Sequence, residues 1–345
     1  SISNEEAGIA TMSEEGKDAE TGIATLAEGE TPTTVFDLQT STNQYVWVPV
    51  KDVSRIYGVD SNGKIWGKLY DYSSTGRSNY NWSETNGVMS ITNKVGSNRE
   101  PDVVSRESIY NYSYDGDSKL QSYRDGIEQY QMLSQEMEEN FYQMIESIKK
   151  YGGFYIGRYE TGDLNQIEAV VQKMNNNLGE IGISWYTMYE KCKNLAGTNE
   201  NVETSMIWGA LWDETLQWLI DSEATILTGE IIDYALICNS TNWGNYKNAK
   251  FEYTRKNGEI LIKDLNDDKR ISTGSSEYTK SNNIYDMAGN MYDWTLEANY
   301  TNSRTLRGGY YSSTGSSSSV RNRKDYIPPS SNYYYYGCRA SLYIK

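Results

Sequence analysis

The sequence predicts an α+β fold carrying a loop-rich insertion. One amphipathic stretch, residues 127–150, repeats apolar side chains every three or four positions. Short aromatic runs at residues 45–50, 65–72 and 153–160 read as strands, and more follow near the C-terminus. Residues 73–118, rich in Ser, Asn, Gly and Asp, separate the two kinds of pattern and read as loops and short strands.

In chain order, residues 1–34 are acidic and poor in aromatics, and are expected to form a flexible stalk or linker. They hold an internal echo, since Gly8-Ile9-Ala10-Thr11 returns as Gly22-Ile23-Ala24-Thr25. Ordered structure should begin near Val35 and run to residue 345 as one domain. Pro49 limits the first aromatic strand. In the helix, Ile127, Tyr130, Leu133, Met137, Phe141, Met144, Ile145 and Ile148 form one core-facing stripe, and Gly152 ends it. Two further helices are expected at residues 166–176 and 184–194, and another starting at Asp213, with Leu216, Leu219 and Ile220 on one face.

Composition excludes several functions. Asp plus Glu number 47 against 32 Lys plus Arg, a formal charge of −15, which repels nucleic-acid backbones. With no His, triads containing His and His-based zinc sites are impossible. Cys192, Cys238 and Cys338 form no Cys-x-x-Cys pair; three buried thiols, or one disulfide plus a free thiol, both stay open. Asp264-Leu-Asn-Asp-Asp268 starts like a calcium loop, but Lys269 and Ser275 replace the required Gly and Glu, so it reads as a turn. No run reaches the roughly 18 apolar residues of a membrane span. The initial Ser suggests a processed or trimmed chain, with any targeting segment outside it.

The last sixty residues carry the functional signal. Ala288-Gly289-Asn290 is a tight turn, with Asp286, Asn290 and Asp293 placed to form a structural polar knot beside Trp294. Residues 304–311 and 337–344 read as strands. Between them lies a tract of Ser, Tyr and Asn that includes four successive Ser and four successive Tyr. Neighbours in a strand face opposite ways, so some of these rings must meet solvent or a partner. The mixture matches antibody binding loops, where Tyr offers rigid contact area and Ser and Asn offer adaptable hydrogen bonds. Arg321 and Arg323 would serve as anchors among the rings.

Three phrases, Asn-Ile-Tyr-Asp-Met-Ala-Gly-Asn-Met-Tyr-Asp-Trp-Thr from Asn283, Arg-Thr-Leu-Arg-Gly-Gly-Tyr-Tyr from Arg304 and Gly-Cys-Arg-Ala-Ser from Gly337, resemble the formylglycine-generating enzyme domain. The segments at residues 184–195, 207–218 and 242–245 resemble helices and a turn of the same family. This resemblance implies a C-type lectin-like fold of the formylglycine-generating enzyme subtype. Those enzymes hold copper with a late cysteine pair; here the corresponding region is Ser, Arg and Asn, and soft-metal binding is lost. The resemblance therefore implies a retained frame without catalytic residues, metal or cofactor.

With its Tyr/Ser/Asn tract, the chain looks like the variable protein of a diversity-generating retroelement. In that family adenine-directed mutagenesis rewrites late Asn-type codons. The resemblance assigns ligand contact to Tyr310, Tyr311, Ser312, Ser313, Ser316, Ser317, Ser318, Ser319, Asn322, Tyr326, Ser330, Ser331, Asn332, Tyr333, Tyr334, Tyr335 and Tyr336. Arg307, Gly308, Gly309, Gly337 and Arg339 would be scaffold, and Cys338 departs from the usual Phe. The implied partner is an unknown protein or surface ligand, with no nucleic acid, on a bacterial surface or phage virion. The alternative is a structural phage or cell-surface component with a fixed Ser/Tyr subunit interface.

Overall fold

Residues 9–11, 23–26, 42–92, 98–102, 127–166, 168–175, 183–299 and 303–345 are described by the structure, a computed structural model. The N-terminal strands are β1 (Ile9–Thr11), β2 (Ile23–Leu26) and β3 (Asn43–Pro49). Three hairpins follow: β4 (Tyr57–Val59) with β5 (Ile65–Gly67), β6 (Tyr70–Ser73) with β7 (Gly76–Asn79), and β8 (Trp82–Thr85) with β9 (Val88–Ile91). Helix α1 (Ile127–Tyr151) leads into β10 (Gly153–Gly157), then α2 (Trp185–Lys193) and β11 (Val202–Met206). Next come α3 (Gly209–Asp221), α4 (Tyr234–Cys238) and a hairpin of β12 (Phe251–Thr254) with β13 (Ile260–Lys263). A small pair, β14 (Lys280–Ser281) and β15 (Ile284–Tyr285), precedes β16 (Tyr292–Asn299), β17 (Ser303–Arg307), β18 (Lys324–Ile327), β19 (Tyr336–Cys338) and β20 (Ala340–Ile344). Mixed sheets with a few helices make this an α+β architecture.

Two sheets carry the body. The larger is antiparallel, in the order β1-β2-β3-β10-β20-β11. The second, β18-β17-β16-β19, is antiparallel except that β16 and β19 run parallel. The chain crosses between them at Arg339, between β19 and β20. This fully buried guanidinium donates to the Gly157 carbonyl (2.9 Å) in the first sheet and to the Tyr285 carbonyl (2.8 Å).

The expected helix at residues 127–150 is α1. Leu133, Met137, Phe141, Met144, Ile145 and Ile148 are buried, each stabilising the core by about 1.5–3 kcal/mol. The side chains of Ile127 and Tyr130 lie outside the described residues. Gly152 ends the helix with φ 78°, a left-handed geometry that glycine adopts without steric cost.

Four expectations are corrected. The echoed tripeptides of the supposed linker are β1 and β2, which pair with each other (Ala10 opposite Thr25) and extend the large sheet through β2. Reading composition weighed only apolar area, whereas an edge strand also gains ladder hydrogen bonds. Residues 27–41, where order was expected to begin, lie outside the described residues. The strand expected over 65–72 divides into β5 and β6, because Gly67 N turns to the Glu100 carbonyl (2.7 Å) and Lys68 N to Ile56 (2.7 Å). No helix forms across the described part of 166–176. Asp163 and Met174 take left-handed φ (52° and 54°), and Val171 exchanges hydrogen bonds with Asn43 and Gln44 beside β3.

The fourth concerns α3, which starts at Gly209 rather than Asp213. Its first amides, Gly209 N and Ala210 N, are capped by the Glu100 carboxylate, 109 and 110 residues away in sequence. No local signal marks such a cap. A β-carbon at Gly209 would meet the Glu297 and Glu100 carboxylates, which a larger residue there would have to displace. From Gly209 to Leu219 every α3 residue is buried.

Burial, reinforced by the neighbouring Glu297 charge, pushes the Glu100 carboxyl up to about 8. Burial likewise raises Glu214 to about 7 and Asp293 to about 6. Such groups hold more protons folded than unfolded. Their contribution is complete below the unfolded value of about 4 and is lost as pH rises toward 8. With no His in the chain, no imidazole masks the trend. Urea denaturation should give a midpoint that falls steadily from pH 5 to pH 8. Glu100→Gln should flatten this slope and raise stability at pH 8 by about 1–3 kcal/mol.

Candidate functional site

The C-terminal tract is held by a frame that sequence requires to be glycine at its closest points. Gly308 and Gly309 both take left-handed φ (87° and 77°), and a β-carbon on Gly309 would collide with the Ser318 carbonyl. The Gly308 carbonyl accepts from Gly289 N (2.8 Å) and from the Tyr246 hydroxyl (2.9 Å). Arg307, Gly308, Gly309, Gly337 and Arg339 are all buried.

Behind this frame sits the polar knot around the 288–290 turn. Asn290, at φ 60°, accepts from Asn245 Nδ2 (2.9 Å) and Ile271 N (3.1 Å) and donates to Glu160 Oε2 (2.7 Å). Asp286 accepts from Gly274 N (2.8 Å) and Thr273 Oγ1 (3.0 Å). Burial, then the charges of Asp286 and Asp293, holds the Glu160 carboxyl well above its ordinary range. The groups named as a knot in the sequence are thus tied to backbone amides (Ile271, Gly274) and to other side chains (Asn245, Thr273, Glu160) alike.

A second polar cluster lies directly under the tract. Asp213, on α3, takes Arg307 on one carboxylate oxygen and Arg323 on the other, each at 2.5 Å. Glu297 on β16 receives Arg323 Nε at 2.8 Å and lies 3.6 Å from Arg307. Burial opposes the Arg323 charge, but Asp213 and Glu297 outweigh it and hold the guanidinium above its usual value. Its plane also covers Tyr80, 4.3 Å from the ring centre. Arg323 is therefore an anchor into the body, not the contact residue that its position in the tract suggested. Arg321 pairs with Asp71 at 3.1 Å, also within the chain.

Residues 310–322 form a loop closed on itself. Ser313 Oγ donates to the Tyr310 carbonyl (2.8 Å), Asn322 Nδ2 to the Ser317 carbonyl (2.7 Å), and the Thr314 and Ser317 hydroxyls lie 2.7 Å apart. Trp212 Nε1 reaches up to the Val320 carbonyl (3.1 Å) from α3. Ser316 and Ser317 are left exposed at the loop tip.

The four successive tyrosines make a turn, closed by Tyr336 N on the Tyr333 carbonyl at 3.0 Å. Tyr333 and Tyr334 are 50% and 45% exposed, the most open rings of the turn. Tyr333 stacks on Tyr335 (5.3 Å, 14°), and Tyr335 leans on Tyr310 (5.1 Å). Tyr310 stacks in turn on Tyr292 (4.8 Å, 23°). Tyr336 points inward, edge-on to Trp294 at 5.3 Å. The result is one continuous ring array running from core to surface. Arg270 flanks it, donating to the Tyr334 carbonyl with its guanidinium 5.4 Å from that ring's centre.

Tyr326 stands apart. Arg304 pairs with Ile327 and Leu306 with Lys324, so β18 carries one extra residue, a β-bulge. Tyr326 occupies it at φ 65°, with its ring 61% exposed. A bulky residue in that geometry stores about 1–3 kcal/mol of strain and aims its ring out of the sheet.

The seventeen assigned contact residues thus divide. Ser316, Ser317, Tyr326, Tyr333 and Tyr334 are exposed, and Tyr310, Ser312, Ser313, Asn322, Asn332 and Tyr335 are half-buried. Tyr311, Ser318, Ser319, Ser330, Ser331 and Tyr336 are buried, which corrects their assignment as surface contacts. The causes are specific contacts, most of them distant in sequence. Ser318 shares a hydrogen bond with the Tyr292 hydroxyl (2.8 Å), and Ser319 Oγ donates to Asn322 (3.1 Å). Ser330 and Ser331 follow Pro329, whose carbonyl caps Trp185 N at the start of α2 (3.0 Å). Tyr311 N is tied to the Asn290 carbonyl (3.1 Å). Sequence reasoning missed Arg270, Tyr80 and Tyr292 as partners of the tract, and nothing in their local sequence marks them.

No family model matches the chain, and no curated protein matches it. Among solved structures, it is similar to Treponema denticola variable protein 1 at 14% identity and a TM-score of 0.34, over 55% of this chain and 84% of that one. It is similar to CarF at 12% identity and a TM-score of 0.35, over 56% and 87% of the two chains. The corresponding values for PvdO from Pseudomonas aeruginosa are 14%, 0.34, 56% and 81%.

The division between core and surface tyrosines is directly measurable. Tyr336→Ser should cost about 3 kcal/mol, as expected when a packed aromatic is truncated. Tyr334→Ser should change stability by no more than about 0.5 kcal/mol. Urea midpoints of the two variants, taken side by side, check both values.

Proposed function

We propose that the chain is a non-enzymatic ligand-binding protein with a C-type lectin-like frame of the formylglycine-generating enzyme subtype. Its C-terminal surface is diversified by a retroelement and meets a protein or other surface ligand on a bacterial cell or phage virion. The observation that carries this reading is the arrangement of the tract. Exposed Tyr326, Tyr333, Tyr334, Ser316 and Ser317 stand on a backbone fixed by buried glycines and arginines. Side chains at those positions can be exchanged without touching the Asp213 and Glu297 ion pairs or the polar knot. Rigid aromatic area plus short hydroxyls is what an adaptable paratope uses. The non-enzymatic reading is supported by the Ser, Arg and Asn residues standing where the enzymes carry their cysteine pair.

Sequencing the DNA that flanks the gene tests the diversification. A reverse-transcriptase gene and a near-copy of the last codons, differing at adenines, are expected; their absence favours a fixed subunit interface instead. For binding, the native chain is screened against intact bacterial cells, and the selected target is then titrated. Changing Tyr326, Tyr333 and Tyr334 together to Ser should weaken Kd at least about tenfold while the fold persists. Unchanged affinity would exclude this surface as the contact site.

A further inference from the structure

The cysteines, widely spaced in sequence, are not equally placed in space. Cys192 lies in the last turn of α2 and Cys338 ends β19. Both are fully buried, and their sulfurs face each other at 3.5 Å across 146 residues of chain. Cys238 is placed elsewhere, at the end of α4, with its Sγ 3.6 Å from the Tyr72 carbonyl. Thr161 completes the surroundings of the pair, with its Oγ1 3.9 Å from Cys192 Sγ and its amide on the Cys338 carbonyl (2.9 Å).

We propose that Cys192 and Cys338 form an intramolecular disulfide when the chain folds in the presence of a disulfide oxidant, leaving Cys238 as a free thiol. A disulfide needs an S–S separation of about 2.05 Å, so the sulfurs must close by roughly 1.5 Å, a movement within reach of small side-chain rotations. Bringing two sulfurs 146 residues apart into contact is the condition that the fold must supply, and it is already met. In the reaction, one cysteine thiolate attacks an oxidised disulfide such as glutathione disulfide, releasing one thiol and leaving a mixed disulfide. The second thiolate then attacks the protein sulfur of that intermediate and expels the other thiol. The two cysteines lose two protons and two electrons, and the oxidant becomes two thiols. Because both sulfurs are buried in the finished fold, exchange takes place before the core closes.

The position of this bond bears on the tract. Trp185 N, at the start of α2, already holds the Pro329 carbonyl. A bond from Cys192 to Cys338 would grip the same stretch at its other end. Residues 329–338, which carry the tyrosine turn, would then be fastened to one helix on both sides.

The full chain is unfolded in urea, refolded with reduced and oxidised glutathione, and quenched with acid. It is then treated with N-ethylmaleimide under denaturing conditions and measured by intact mass and non-reducing peptide mapping. One adduct, at Cys238, together with a peptide pair joining Cys192 to Cys338 is expected, rising to three adducts after dithiothreitol. Three adducts without reduction, or a cross-link that includes Cys238, overturns the proposal. As a second arm, Cys238→Ser should retain the cross-link and lose the remaining adduct; a Cys238→Ser chain with two reactive thiols after oxidative refolding overturns it equally.

Discussion

The structure depends on one buried carboxylate, Asp213, held between two guanidiniums. Arg307 comes from β17 and Arg323 from within the C-terminal tract, while Asp213 belongs to the helix at the centre of the core. Taking such charges out of water costs several kcal/mol per ion, so the cluster holds only because each charge has partners within reach. Removing any one partner would leave another uncompensated, at a typical cost of about 3–5 kcal/mol. The cluster is weak evidence for extra stability, but it fixes position. A hydrophobic plug could slide by a rotamer, whereas the Arg323 fork, with Asp213, Glu297 and the Tyr70 carbonyl as acceptors, has one seat.

That single seat explains how a tract of such composition is ordered at all. Residues 310–336 are mostly Ser, Asn, Gly and Tyr, and chain entropy would otherwise favour a loose loop. Four attachments oppose it: Arg323 in the ion cluster, the Val320 carbonyl on Trp212, the Pro329 carbonyl on α2, and Tyr336 against Trp294. Between attachments the side chains need only be compatible with solvent. A surface can then differ in chemistry without the frame being renegotiated.

How much of this was legible beforehand follows from the range of the interactions. Periodic burial is local, so α1 and its stripe from Leu133 to Ile148 were readable, as were the strands beginning at Asn43 and Gly153. The polar knot was readable as a turn because Gly289 and Asn290 announce left-handed geometry. Contacts made across long separations were not. Glu100 capping α3, and Arg323 turning inward, each depend on a partner about a hundred residues away. The tyrosine turn shows the same limit. Alternation indicated that some rings face outward, but which ones was decided by Trp294 receiving Tyr336.

The bulge at Tyr326 sets backbone ease against aromatic area. Left-handed backbone is uncomfortable for a bulky ring and easier for Asn. An Asn at this position would gain backbone ease and give up aromatic area, and the Tyr does the reverse. The most exposed ring of the tract therefore sits where the backbone would favour a smaller residue, and its aromatic area is held at the expense of the robustness of the sheet edge.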